Sequence, residues 1–246
     1  MQRRDFIKKS ALTTTGFASG AILHANNQFK MTNNEIPRFK LRYAPHLGMF
    51  KHSAGDDPID QLKFMADQGF TAFEDNGMKN RDISMQEKMA KTMSDLGIQM
   101  GVFVAHKIYW NEPNLASGKQ EWREEFLNHI KESVEVAKRV NATWMTVVPG
   151  HLDLRQDMGY QTVNVVESLR QACAILEPHG LVMVLEPLNF RNHPGLFLTK
   201  AAQSYAVCKA VNSPSCKTLF DIYHQQIQEG NLIPNIEKCW DEIAYF

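Results

Sequence analysis

Two short apolar runs end in groups that can do chemistry. Leu181 to Asn189 reads Leu-Val-Met-Val-Leu-Glu-Pro-Leu-Asn and delivers one carboxylate, Glu186. Thr218 to His224, Thr-Leu-Phe-Asp-Ile-Tyr-His, delivers Asp221 and His224 about one strand-plus-helix unit later. An ionisable group at the end of a buried strand needs a partner or a metal, because an unpaired buried charge is costly. For Glu186 the plain alternative is a salt bridge to Arg191. Two carboxylates leaving adjacent parallel strands would share one mouth, where hard oxygen ligands suit Mg²⁺ or Mn²⁺. His224, three residues past Asp221, reads either as a ligand or substrate contact or as a hydrogen-bonded surface histidine. Asn189, Asn192, His106, His46, His151 and Glu74 fall just beyond the ends of such runs, and of these Asn189, His106 and Glu74 are expected to contact the substrate. Trp110 lies in a long loop, placed either to stack on a sugar ring or to pack on the rim.

The elements that must position these groups alternate. From Phe39 onward, short apolar runs are followed by amphipathic helical patterns, which predicts successive βαβ units and a parallel sheet. Phe39, Leu41 and Tyr43 predict a first strand, Phe70 to Phe73 a second ending in Glu74, and Ile98 to Ala105 a third ending in His106. Ala142 to Val148 predicts a fourth, the Leu181 stretch a fifth, Thr218 to Tyr223 a sixth. Between them, Asp57-Pro58 caps one helix, Ser84 with Glu87 forms a capping box for the next, and Thr199 caps a later one. Met85, Met89, Met93 and Leu96 make an apolar stripe that reads as core. Glu121 to Val140 is the longest helical pattern, and Tyr160 to Leu176 follows it. Pro234 opens a last helix, and Ala244 to Phe246 begins a seventh strand. The fold expected is α/β, a (β/α)8 TIM barrel C-terminally truncated after about six βα units and the start of strand seven. Catalytic groups in such barrels lie at the C-terminal ends of the strands, where the candidates cluster.

Lys plus Arg and Asp plus Glu both number 27, so no net field draws the chain to nucleic acid or an anionic membrane, and a small near-neutral substrate is expected. Residues 1–37 differ in kind: Gln2-Arg3-Arg4-Asp5-Phe6-Ile7-Lys8-Lys9, a weakly apolar run from Ala11 to Ala25, then a polar linker. This resembles a twin-arginine export signal and implies a periplasmic protein whose folded domain covers residues 38–246. No later stretch is long enough to span a membrane. The four cysteines, Cys173, Cys208, Cys216 and Cys239, have no metal-type spacing and read as small buried thiols, with a disulfide as the alternative in an oxidising compartment. Glycine-rich phosphate loops, G-x-S-x-G elbows and H-E-x-x-H helices are absent. Oligomeric state stays open, a homo-oligomer included.

Leu185-Glu186-Pro187-Leu188-Asn189 and Phe220-Asp221-Ile222-Tyr223-His224, supported by the Phe70 to Asn76 unit, resemble the xylose isomerase-like barrels, within them the hydroxypyruvate isomerase and ketose epimerase group. The resemblance implies a divalent metal held by Glu186 and Asp221. It also implies Glu186 as one of two acid/base groups moving a proton through an enediolate of a sugar or hydroxy-carbonyl compound, with His224 on a substrate oxygen. Further ligands and the second glutamate belong to strands seven and eight of that family, so the chain as it stands is expected to be inactive. The related apurinic endonuclease barrels match His106, Glu186, Asp221 and His224, though strand two here ends without a histidine ligand and the balanced charge lacks a basic footprint. A non-catalytic exported binding protein on the same barrel is the third reading.

Overall fold

The computed structural model describes residues 39–246; the expected export signal and linker, residues 1–37, lie outside them. Among the described residues, fourteen regular helices and strands follow one another in the expected alternation. They are α1 (Lys51–Ala54), α2 (Pro58–Asp67), β1 (Ala72–Phe73), α3 (Ile83–Leu96), β2 (Gln99–Met100), α4 (Gln120–Val140) and β3 (Trp144–Val147), continuing with α5 (Met158–Leu176), β4 (Val182–Leu185), α6 (Ala201–Val211), β5 (Cys216–Leu219), α7 (Ile222–Gln228), α8 (Leu232–Cys239) and β6 (Ile243–Tyr245). All strand pairs are parallel, as one ladder β1-β2 and a second β3-β4-β5-β6. The isolated bridge between Val104 and Thr146 joins the two sheets, which do not close into a ring among the described residues.

The period of two along each strand decides what faces inward. Met145 and Val147 of β3, with Met183 and Leu185 of β4, pack outward into the large core shared with the helices. Trp144, Val182 and Val184 form a separate inner cluster with Val102, Leu219 and Tyr245. Continuing the file Val182, Val184 places Glu186 inside, and the file Lys217, Leu219 does the same for Asp221. Each fully buried aliphatic side chain on the outer face contributes roughly 1.5–3 kcal/mol, which anchors the strands that aim the inner one.

Several expectations change. Phe39 to Tyr43 forms no strand: Phe39, Leu41 and Tyr43 are exposed, and only a bridge from His46 to Glu74 remains. Phe39 instead packs against Tyr43 and Phe70, with ring centroids 5.5 and 4.8 Å apart. The third run keeps only β2 as a strand, and at Gly101, next along the chain, the Tyr245 hydroxyl crowds the position a Cβ would take. Asp82, not Ser84, caps α3: its carboxylate accepts from the Met85 N–H at 2.8 Å, and the Ser84 hydroxyl donates to it at 2.6 Å. Thr199 is not a cap, since α6 begins after Lys200. The sixth run ends as a strand at Leu219, and Ile222 to Gln228 is helical because Asp221 caps it. β6 pairs with β5, as the closing Ala-Tyr-Phe predicts. All four cysteines are buried and free. Among the described residues, no helix is long and apolar enough to cross a membrane.

Candidate active site

Glu74, Glu186 and Asp221 line one cavity of about 290 Å³, whose walls also include Val102, Thr146 and Tyr245. The Glu186 N–H donates to the Val147 carbonyl at 3.2 Å, extending the β3-β4 ladder one step so that the side chain leaves a fixed backbone. Among the described residues, no donor reaches the Glu186 carboxylate, and Arg191 forms no ion pair with it. Burial first, and the charges of Asp221 and Glu74 after it, together push the Glu186 carboxyl up to about 7. Glu74 is raised by burial as well, partly offset by a hydrogen bond from the Tyr245 hydroxyl at 3.2 Å. Tyr245, missed at the level of sequence, thus ties the last strand to the end of β1 across the mouth.

Asp221 does two jobs. One oxygen accepts from the His224 N–H at 3.1 Å as the cap of α7, and the other lies 3.8 Å from His224 Nε2. His224 is held from behind by Asn189, which is fully buried: its backbone N–H lies 3.2 Å and its amide nitrogen 2.7 Å from Nδ1. The Asn189 amide oxygen accepts from the Asn192 N–H at 2.9 Å, so the nitrogen end must face the ring. Both neighbours of Nδ1 are therefore donors, and the neutral ring carries its proton on Nε2. Burial lowers the His224 pKa, favouring that neutral form. Atoms of Glu186, Asp221 and His224 that could hold an ion lie within 4.8 Å of one another. The tautomer makes His224 a hydrogen-bond donor at this site instead of the third ligand. Asn189, expected on the substrate, has its amide committed to His224 and Asn192 and acts as a positioning residue.

His106 does not join this group. Its Nδ1 donates to the Lys107 carbonyl at 2.8 Å and its Nε2 accepts the Val148 N–H at 3.2 Å, while its ring meets Phe126 edge-on at 5.1 Å. Burial holds its pKa down to about 4. It faces a separate cavity with Lys79 and His129, so the expected substrate contact is replaced by a structural role. Trp110, partly exposed, stacks on His193 at 5.0 Å, and His193 lies 5.5 Å from His224. The long loop thereby reaches the rim of the site through His193, which no spacing in the sequence picks out. His46 is exposed beside Glu74, and the His151 ring packs under Gly195.

Parallel strands alternating with helices, with carboxylates at the C-terminal strand ends, mark the TIM-barrel class. A profile of the xylose isomerase-like TIM barrels matches residues 62–246, and the chain belongs to that family. A 2-oxo-tetronate isomerase of Cupriavidus necator is 28% identical over 114 residues, 46% of this chain and 44% of that protein. A putative hydroxypyruvate isomerase of Danio rerio is 27% identical over 184 residues, 72% of this chain and 66% of that protein. The crystal structure of a family 2 AP endonuclease from Brucella melitensis superposes with a TM-score of 0.72 at 24% identity, covering 82% of this chain and 77% of the other, which speaks to fold alone. The chain spans about half to two thirds of the length of these curated relatives.

Proposed function

We propose that this protein is a divalent-metal-dependent isomerase or epimerase of a sugar or small hydroxy-carbonyl compound, with Glu186 as the group that moves the proton. The observation that carries this is the Glu186 carboxylate itself: half-buried, without a donor among the described residues, raised to about 7, and facing two further carboxylates in one cavity. A proton-transfer group works best with a pKa near the working pH, which is where burial puts this one.

The residues fit a hard divalent cation. Three carboxylates crowd a small cavity, the burial that raises Glu186 and Glu74 is what a cation would offset, and oxygen donors are what Mn²⁺ or Mg²⁺ takes. Glu186 and Asp221 would hold it. When bound, such an ion stabilises negative charge developing on a substrate oxygen. The chain's own residues supply the rest. Glu186 takes the proton from the carbon bearing a hydroxyl, leaving an enediolate, and returns it to the adjacent carbon, while the hydroxyl proton passes to the former carbonyl oxygen. The Nε2–H of His224, fixed by Asn189, donates to a substrate oxygen, and the Trp110-His193 stack narrows the rim against water. The endonuclease alternative loses support because His106, which it needs as a ligand, has both ring nitrogens engaged. The reading carries with it export by the twin-arginine route to the periplasm, on the strength of the segment Gln2 to Lys9.

The test is a screen of ketoses and hydroxypyruvate for interconversion with added Mn²⁺, repeated on Glu186→Gln. Loss of turnover by about 10²- to 10⁴-fold in the variant is expected. Turnover present in the wild type and unchanged in the variant contradicts the assignment, and sugar binding without turnover in the wild type fits either the binding-protein reading or the inactivity that the family resemblance implies.

A further inference from the structure

Thr146 is 2% exposed, and its hydroxyl has no hydrogen-bond partner among the described residues. It stands on β3 in register with Val184 and lines the cavity that holds Glu74, Glu186 and Asp221. On the same inner file Trp144 is purely packing, whereas Thr146 sits one step higher, level with the bridge to Val104. A valine has nearly the same shape and would remove an orphaned buried polar atom, which ordinarily costs stability. A hydroxyl kept here without a partner has a use only if something polar enters the cavity.

The charge of the walls says what that is. Among the described residues, no lysine or arginine lines the cavity, and its ionisable side chains there are the carboxylates Glu74, Glu186 and Asp221 and the phenols of Tyr223 and Tyr245. Even with one divalent cation held by Glu186 and Asp221, the three ionised carboxylates leave the cavity net negative, with no cationic side chain to receive a substrate's own carboxylate or phosphate. A neutral compound with several hydroxyls would find acceptors in the carboxylates and both a donor and an acceptor in Thr146.

We propose that Thr146 is a specificity-determining residue, its hydroxyl hydrogen-bonding an oxygen of a neutral polyhydroxy-carbonyl substrate at the floor of the cavity. This rests on the isomerase reading and deepens it by choosing the neutral sugar over the hydroxy acid. A site that hydrogen-bonds a substrate hydroxyl discriminates far more sharply than one that only accommodates it.

The experiment titrates D-fructose, D-tagatose and hydroxypyruvate into Mn²⁺-loaded wild type, Thr146→Val and Thr146→Ser by calorimetry, with Mn²⁺ titrated separately into each protein. The wild type is expected to bind at least one ketose more tightly than hydroxypyruvate. Thr146→Val should weaken that binding by roughly 10- to 100-fold, Thr146→Ser should keep it within about threefold, and Mn²⁺ affinity should be the same in all three. Unchanged ketose affinity in Thr146→Val overturns the proposal, as does a wild type that binds neither ketose or that prefers hydroxypyruvate. Failure of the wild type to bind Mn²⁺ contradicts the isomerase reading alone and leaves the Thr146 comparison standing on the sugar titrations.

Discussion

Glu186 and His106 occupy equivalent places: each follows an apolar run, each is deep in the protein, and burial drives each toward its neutral form. They differ in what their polar atoms do. The His106 ring is engaged on both sides, by the Lys107 carbonyl and the Val148 N–H, and closes the gap between β2 and β3 like a rivet. The Glu186 carboxylate has no donor among the described residues and opens onto a cavity with two other acids. Burial and a shifted pKa therefore do not separate scaffold from site here; an unfilled hydrogen-bonding capacity does.

The contrast can be broken first at His106. His106→Ala leaves the Val148 N–H without its partner and a void against Phe126, and should destabilise the fold by about 2–4 kcal/mol, measured by urea unfolding. A loss below about 1 kcal/mol would mean that the ring is not structural.

The contrast is sharpened by pH at Glu186. Its folded pKa, about 7, lies above the ordinary 4.5, so the folded state holds the proton longer than the unfolded one. Below pH 4.5 both states are protonated and the group has no effect; between 4.5 and about 7 the unfolded state releases its proton first and stability falls. Above that window the metal-free wild type carries the whole penalty, at most roughly 3 kcal/mol. Metal-free Glu186→Gln should then be more stable than wild type at pH 8 and no more stable at pH 4. A variant less stable at pH 8 would show that the carboxylate has a partner in the fold.

Sequence made the strand ends legible because a period of two and a run of aliphatic residues leave little freedom: Val182 and Val184 fix where Glu186 points. The helix capped by Asp221 was hidden because Phe-Asp-Ile-Tyr continues an apolar run, and only the cap geometry turns it helical. Long-range partners were hidden altogether. His106 meets Val148 across 42 positions and Tyr245 meets Glu74 across 171, and no local pattern signals either. Thr146 escaped notice for the opposite reason, since a β-branched residue inside Trp-Met-Thr-Val is what any strand would carry.

The most direct measurement is a calorimetric titration of Mn²⁺ at pH 7.5 into wild type, Glu186→Gln and His106→Ala. The account predicts one site in the wild type, retained in the folded His106→Ala protein and weakened at least about 30-fold in Glu186→Gln, the loss of one charged ligand. Equal affinity in the wild type and Glu186→Gln, or loss of the site in His106→Ala alone, would contradict it.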